Sequence, residues 1–384
     1  MKKNSQLISP FPYVAAFSVQ MINGIVGISV PINAFLLRAS PFLIGLIGAS
    51  GGITYSVMSL FFGILSDRFK RKTLIFISTV LYGFSSLLYF LLEEPFFFVM
   101  VRILEWMSVA MFWPSLEALI ADTQGENIDE SFKKFNISWG SAMTIGPLIG
   151  GALISLWTTK TPFLLSASIS FTLSISTILL VKEKPRREKE HFSLAQSAST
   201  ETTVIKQVSL FSVLSSIFLF SFIVGTLFSL FPAYATDLGI PAYEIGLLML
   251  LFGTVRTIVF YYAKYIEMRL KKAGIFLTSS LIFAASSIFI VNSNTASMFS
   301  LCFAAFGFGA GASYATAISF MLQWGSSKGH AAGIFESSIG LGYFVGSLLG
   351  GALSELNSQA PYILCLLLSL AIFSIQAVLL RKNQ

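Results

Sequence analysis

The chain contains 384 residues, of which 55% are hydrophobic and 11% are charged, and it carries a net charge of +7 and a mean hydropathy of +0.78. Average soluble domains have about 25% charged residues. A soluble fold of this length could not cover so much apolar surface, so the composition excludes a protein that lies entirely in water.

Twelve apolar runs are each long enough to cross about 30 Å of hydrocarbon as a helix. In chain order they lie near 11–37, 42–65, 73–92, 95–119, 135–157, 162–181, 207–231, 242–263, 274–292, 295–323, 330–354 and 360–380. Backbone groups in lipid must bond within a helix or a closed barrel, and barrel strands would show alternating apolar residues. We therefore predict an all-α polytopic membrane protein with twelve transmembrane helices.

The basic residues predict how the chain is oriented. Of the 25 Lys and Arg residues, 21 fall on the side of the N-terminus, 2 fall on the opposite side (Arg38 and Lys160) and 2 lie within spans (Arg102 and Arg256). Cytoplasmic loops carry the excess of Lys and Arg. The bias predicts a cell-membrane protein with both termini in the cytoplasm, and it explains the basic charge without nucleic acid.

An internal repeat divides the chain into halves. At an offset of 201, PINAFLLRASPFLIGLI (residues 31–47) matches PAYATDLGIPAYEIGLL (232–248). At an offset of 200, FNISWGSAMTIGPLIGGAL (135–153) matches FESSIGLGYFVGSLLGGAL (335–353). We predict two parallel six-helix bundles, 1–181 and 207–384, joined by a charged cytoplasmic linker at 182–206. Parallel repeats of this kind occur in secondary transporters.

The short gap between the second and third runs reads GILSDRFKRK (63–72), and a degenerate copy, KYIEMRLKKA, separates the eighth and ninth runs. It resembles the signature loop of the major facilitator superfamily. The segment 101–122, with Arg102, resembles the fourth helix of that family, and GPLIGG (146–151) resembles the end of an antiporter motif in its fifth helix. The resemblance implies the major facilitator fold and a secondary transporter of the drug/metabolite–proton antiporter branch, working by alternating access.

The signature loop has two interpretations. It could be a plain basic cytoplasmic loop, but that explains neither Gly63, which would let the second helix approach a neighbour, nor Asp67, whose carboxylate suits a helix N-terminus. Family geometry places that N-terminus on the eleventh helix, and Arg71 could pair with Asp122. The predicted conformational latch between the halves comprises Gly63, Asp67, Arg68, Arg71, Asp122, Gly333 and Ser337.

Four charged residues lie deep in predicted spans: Arg102, Glu105, Arg256 and Glu336. Arg102 and Glu105 share one helix face at i, i+3 spacing, and Arg256 and Glu336 are predicted at similar depth. They could form two structural ion pairs. Alternatively, Glu105, tuned by Arg102, and Glu336 exchange a proton during transport. Glu117 is expected only to reach the inner interface.

The predicted cavity comprises Asn23, Arg102, Glu105, Trp113, Trp139, Arg256 and Tyr314. A sugar site would need more hydrogen-bonding side chains. A largely apolar cavity with a carboxylate suits export of a small lipophilic or cationic compound, coupled to protons. The alternative is uptake or exchange of an organic anion bound through Arg102 and Arg256.

Other classes of function are disfavoured. The chain has 2 His residues and no H-E-x-x-H, G-x-S-x-G or P-loop motif, so we expect neither an enzyme nor a primary pump, and no metal or cofactor. A sensor on this fold would be expected to carry a soluble signalling domain. The expected partners are a small-molecule substrate, protons and the lipid bilayer, with the protein acting as a monomer.

Overall fold

The structure, a computed structural model, describes residues 10–66, 69–124, 128–181, 209–323 and 328–382. Eleven helices in these ranges are long and apolar enough to cross a membrane. They are α1 (Phe11–Leu36), α2 (Pro41–Ser66), α3 (Arg71–Leu91), α4 (Phe98–Gln124), α5 (Ile128–Leu156), α6 (Thr161–Leu180), α7 (Leu210–Asp237), α8 (Ala242–Val291), α9 (Ala296–Gln323), α10 (Lys328–Ser354) and α11 (Ala360–Lys382).

Helix α8 contains two of the predicted spans. Its 50 residues would extend roughly 75 Å as one helix, far more than a bilayer is thick. Non-helical backbone angles at Lys271 (φ 56, ψ 160) divide it into two limbs. These limbs are the predicted eighth and ninth spans, and α9, α10 and α11 are the tenth to twelfth. The twelve-span fold is therefore confirmed.

The boundary of the eighth span was placed too early. We expected it to end near 263, whereas the helix continues to the break at Lys271. Tyr, Lys, Glu, Met and Arg in this segment all tolerate a helix, and long basic side chains can extend toward the membrane interface. As a result Arg256 lies roughly 21 Å from the start of α8 and a similar distance from Lys271, near the middle of its limb.

The internal repeat is visible in the backbone. Arg38, after α1, has φ 66, and Gly239, after α7, has φ 78. In the first turn the amide of Ala39 donates to the carbonyl of Ala34 at 2.9 Å, and in the second Ile240 donates to Ala235 at 3.0 Å. Each pair of equivalent residues is separated by the same offset of 201 found in the sequence. The linker 182–206 lies outside the described residues, so the division at that linker stays a prediction.

The face at which α1 ends and α2 begins, which the charge bias predicts to be extracellular, is called the outer face. Here the two halves pack closely. A Cβ added to Gly45 of α2 would lie 2.6 Å from the Cα of Gly351 of α10, and one added to Gly246 of α8 would lie 2.8 Å from the carbonyl oxygen of Pro147 of α5. Small residues let helices in membranes approach this closely. The outer face is therefore closed.

Toward the opposite, inner face the helices separate. Eight of the nine residues 44–52 of α2 are buried, whereas only Phe62 is buried among residues 53–65. A Cβ on Gly63 of α2 or on Gly140 of α5 would meet no described atom within 4 Å. Gly63 makes no close helix contact with the described residues. That contact belongs to the latch predicted to close the inner side, so it stays a prediction. From this separation of the helices we infer a central space between the halves on the inner side.

Candidate functional site

The first buried charge cluster is the Arg102–Glu105 pair of α4. The Arg102 guanidinium donates from one nitrogen to both carboxylate oxygens of Glu105, at 3.1 and 2.9 Å. Two hydroxyls of α3 also donate to this carboxylate, Tyr89 at 3.0 Å and Tyr82 at 3.4 Å. Glu105 is 2% exposed. All its hydrogen-bonding partners belong to α3 and α4, so its charge is balanced inside the N-terminal helices.

An aromatic cluster covers this pair on the side of α2 and α10. The guanidinium carbon of Arg102 lies 5.4 Å from the ring centroid of Trp106. Trp106 contacts Tyr55 of α2 edge to face at 5.6 Å and Tyr343 of α10 at 6.1 Å. The cluster therefore joins residues from both halves of the chain.

A small cavity of about 10 Å³ adjoins Arg102 on the outer side of this cluster. It is lined by Val30, Pro31, Ile44, Ile47, Gly48, Arg102, Phe228 and Ser229. The Nε of Arg102 has no hydrogen-bond partner among the described residues. A cavity of this size has room for about one water molecule, which could bond to that nitrogen.

The second cluster is a carboxylate pair formed by Glu117 of α4 and Glu336 of α10. The two lie close enough for their charges to repel when both are ionised, and Tyr55 and Tyr314 lie near both. They lie at matching depth, roughly 10 Å from the end of α4 and roughly 12 Å from the start of α10. In the described part of the chain neither makes a hydrogen bond or ion pair. Glu117 is exposed and Glu336 half-buried, consistent with positions facing the central space.

The third cluster surrounds Arg256 of α8 and is here called the arginine cage. The guanidinium carbon lies 5.5 Å from the ring centroid of Phe220, 5.1 Å from Phe260 and 5.2 Å from Tyr314. One nitrogen donates to the thioether sulfur of Met143, on α5, at 3.6 Å. Cation–π contacts with three rings stabilise a desolvated guanidinium, each by about 0.5–2 kcal/mol.

Only one of the two candidate ion pairs forms. Arg102 and Glu105 are bonded, but no ion pair or hydrogen bond joins Arg256 to Glu336 where the structure describes the chain. The rings of the arginine cage occupy the sides of the guanidinium, and Glu336 instead lies near Glu117. The expectation of a second pair is wrong, because depth alone does not show which faces of two helices meet.

The other residues predicted to line the cavity have different surroundings. Tyr314 lies between the carboxylate pair and Arg256, and its ring contacts Phe335 at 5.3 Å. Trp113 packs edge to face on Phe112 at 5.2 Å and on Phe135 at 6.0 Å, within the N-terminal helices. Asn23 and Trp139 are half-buried in α1 and α5. Tyr314 is thus the aromatic candidate that the structure brings to the charged residues.

The predicted latch is described only in part. Asp67 and Arg68 lie outside the described residues, as do the side chain of Asp122 and the surroundings of Gly333. Arg71 is buried at the start of α3, and Ser337 is half-buried in α10. The latch therefore stays a prediction. Within the same loop, the ammonium of Lys72 donates to the carbonyl of Ile178 at 2.6 Å and so satisfies an orphan carbonyl at the end of α6.

Several site residues escaped prediction, although the sequence contained signals for some. Tyr82 and Tyr89 are seven residues apart, two turns on one helix face, and so could both reach one buried carboxylate. Tyr55 lies 201 residues before Arg256, so the repeat pairs the two. Glu117 and Trp106 had no such signal, because their roles depend on α10.

The fold resembles solved membrane transporters. A bacterial homologue of the human lysosomal transporter Spinster, described as inward-facing and occupied, superposes with a TM-score of 0.77 at 12% identity, covering 97% of each chain. The nucleoside transporter NupG superposes with a TM-score of 0.73 at 14% identity, also covering 97% of each chain. At this level of identity the likeness concerns the fold alone.

Sequence relatives cover nearly the same length. Multidrug resistance protein 2 of Bacillus subtilis is 24% identical over 88% of this chain and 87% of its own. The quinolone resistance protein NorA of Staphylococcus aureus is 22% identical over 97% and 96%. The Major Facilitator Superfamily model matches residues 13–275 and 213–384. This multi-pass membrane chain therefore belongs to the Major Facilitator Superfamily of transporters.

Proposed function

We propose that the protein is a secondary transporter that exports small lipophilic cations in exchange for protons. The observation that carries the proposal is the carboxylate pair. Glu117 and Glu336 come from opposite halves and lie near each other. Neither makes an ion pair or hydrogen bond in the described part of the chain, and neither is fully buried. Relatives named for multidrug and quinolone resistance support export of such compounds.

The chemistry of exchange follows from the pair. Two nearby carboxylates repel when both are ionised, so a proton or a cation beside them relieves the repulsion. A cationic substrate and protons would then compete for one site, and competition at a site that opens alternately to each side produces exchange. Tyr55 and Tyr314 supply apolar ring surface beside the same charges. Two rocking bundles, 1–181 and 207–384, would move the site between the two faces.

Glu105 with Arg102 is the other candidate for the coupling site. Four hydrogen bonds from Arg102, Tyr82 and Tyr89 already balance its charge. That geometry favours the structural alternative for this pair and leaves Glu336, together with Glu117, as the coupling candidates.

Transport of an organic anion is the second candidate function. It is favoured by Arg256, which is 6% exposed and has no carboxylate partner among the described residues. Arg102, its proposed partner in anion binding, is neutralised by Glu105. The anion alternative therefore depends mainly on Arg256.

The experiment is uptake into proteoliposomes with an imposed pH gradient, using tetraphenylphosphonium as the cation and benzoate as the anion. We expect Glu117→Gln and Glu336→Gln to lose gradient-driven movement of the cation while retaining weaker binding of it through the remaining carboxylate. The control is Glu130→Gln, an exposed carboxylate paired with Lys134 at 2.8 Å. Gradient-driven cation transport in both stable variants would contradict the coupling role, and transport of benzoate alone would support the anion alternative.

A further inference from the structure

The two halves meet at two seams on which polar side chains lie. At the first seam α2 meets α10, and a Cβ on Gly340 would lie 2.5 Å from the Cβ of Ser56. At the second seam α8 meets α5, and a Cβ on Gly253 would lie 3.1 Å from the hydroxyl of Thr144. The repeat offset of 201 relates Ser56 to Thr257, so the two seams are equivalent in the two halves.

Equivalent positions at the two seams carry different chemistry. Tyr55 occupies the first seam, near Glu336 and Glu117. The residue 201 positions later is Arg256, at the second seam. One seam of the central space is therefore acidic and the other basic.

The charge of Arg256 is not matched by the described residues. A guanidinium has five N–H donors, and the arginine cage offers it three ring faces and the sulfur of Met143. Its Nε has no hydrogen-bond partner among the described residues, although the side chain is 6% exposed. Arg102 differs, because Glu105 supplies it with a counter-charge. Arg256 thus keeps unused donors suited to an anionic group.

The position of Arg256 makes these donors available during transport. Gly253, one turn before Arg256, marks the inner end of the close contact between α8 and α5. Beyond it a Cβ on Gly140 of α5 would meet no described atom within 4 Å. Met143, the hydrogen-bond partner of Arg256, belongs to the opposite half. Separation of the halves at this seam would release the Met143 contact and leave that guanidinium nitrogen available to another partner.

We infer that the transported compounds are aromatic zwitterions, whose carboxylate binds Arg256 while their ammonium group binds Glu117 and Glu336. The inference rests on the proposed function for its cationic end and adds an anionic end. Tyr314 contacts the guanidinium of Arg256 at 5.2 Å and the ring of Phe335, the neighbour of Glu336, at 5.3 Å. A flat aromatic body joining the two charged groups could therefore lie against Tyr314.

The test compares a zwitterion with its ester in equilibrium binding to the full-length protein, without any gradient. The probe is a biphenyl with a dimethylaminomethyl group at one end and a carboxylate at the other, and the matched compound is its methyl ester, which is only cationic. We expect the protein to prefer the zwitterion. Arg256→Met should weaken zwitterion binding about tenfold or more, as expected for losing a charge-assisted hydrogen bond, and leave ester binding unchanged.

Retained ester binding shows that Arg256→Met is folded. If that variant binds neither compound, Arg256→Lys decides, because it keeps the charge but not the planar fork of donors; its preference for the zwitterion should fall severalfold. The matched control is Arg269→Met, which removes an exposed charge near the inner end of the same limb. Equal affinity of the native protein for both probes, or an unchanged preference in the Arg256 variants, would overturn the inference. Neither result bears on whether cation export responds to a pH gradient.

Discussion

Arg38 occupies a backbone conformation that suits glycine. It has φ 66 at the turn after α1, and the equivalent position after α7 is Gly239, with φ 78. A side chain in this left-handed region costs about 1 kcal/mol or more. Because Arg38 is exposed, removing its side chain should lose few contacts.

We predict that Arg38→Gly stabilises the protein by about 1 kcal/mol, measured as a higher midpoint of thermal unfolding in detergent. The reciprocal change, Gly239→Ala, should destabilise it by a similar amount. Combining the two should return the midpoint close to that of the native protein, because the two turns share no hydrogen bond. A lower midpoint for Arg38→Gly would show that Arg38 makes a stabilising contact that outweighs the strain.

Glu105 is predicted to stabilise the fold by balancing the charge of Arg102. In Glu105→Gln the buried guanidinium of Arg102 loses its counter-charge, which costs about 3–5 kcal/mol. We expect a large fall in the thermal midpoint, and we expect the double change Arg102→Met with Glu105→Leu to recover most of it. If Glu105→Gln is instead stable but no longer responds to a pH gradient, Glu105 carries the proton and the structural role is wrong.

Contacts between side chains were predictable from the sequence where both residues lie on one helix. Arg102 and Glu105 lie on one helix, so their i, i+3 spacing predicted the observed pair. Glu117 and Glu336 lie 219 residues apart on different helices, and only the packing of α4 near α10 brings them together. Sequence spacing contains no information about that rotation of one helix against another.

At the scale of elements, the start of α2 is held by the far half of the chain. The amide of Phe42 donates to Glu355, just after α10, at 2.8 Å, and Leu43 donates to the hydroxyl of Ser40 at 3.3 Å. The Phe42 amide, with a further hydrogen bond from Ser40, lowers the pKa of the Glu355 carboxyl. A carboxylate at a helix N-terminus satisfies an unpaired amide and complements the helix dipole. This contact links the two halves at the outer face.

We predict that the outer face opens as the external pH falls. The pKa of Glu355 is lowered only while the outer face is closed, so its stabilisation is fully present above the ordinary carboxyl pKa. That stabilisation is lost as the pH falls through the lowered pKa. The measurement is labelling of Ser229→Cys by an impermeant thiol reagent from outside; both native cysteines are buried. Because acid also lowers the reactive thiolate fraction of every cysteine, labelling is expressed relative to that of a cysteine placed at the exposed Ser358. This relative labelling should increase on acidification.

Glu355→Gln should raise labelling at neutral pH by about two- to fivefold and remove its dependence on acid. The control is Glu93→Gln, whose carboxylate pairs with Lys160 at 3.2 Å within one half and should leave labelling unchanged. Equal labelling of Glu355→Gln and the native protein at every pH would show that the contact does not hold the outer face closed.

The helices themselves were largely predictable, because a lipid solvent leaves few choices for the backbone. Predicted and observed ends of α1, α9 and α11 agree within a few residues. The connection inside α8 was not predictable, since charges in KYIEMRLKKA suggested a loop but a single residue, Lys271, makes the turn. Charged residues in a segment indicate where the chain leaves the lipid. They do not show whether the backbone of that segment remains helical.

For the whole molecule, a closed outer face with helices that separate toward the inner face is the arrangement that the proposed alternating access requires at one end of its cycle. The outer contacts of α2 with α10 and of α5 with α8 are closed, and the same helices separate toward the inner face. Glu355, which follows α10, holds the start of α2, and the predicted latch would have Asp67, which follows α2, hold the start of α10. Two helices that each place a carboxylate at the other's N-terminus could favour the two closed faces in turn.

The last prediction concerns the orientation of the chain in the membrane. The distribution of 25 basic residues predicts that the linker 182–206 is cytoplasmic and that the loop between α10 and α11 is extracellular. A cysteine at Ser197 should therefore react with an impermeant thiol reagent only in inside-out vesicles, and one at Ser358, which is exposed, only in intact cells. An odd number of membrane crossings separates these positions, because α7, the two limbs of α8, α9 and α10 lie between them. Reaction of both from the same side would contradict the five crossings between them, whereas reaction of each from the opposite side would keep the fold and reverse its orientation.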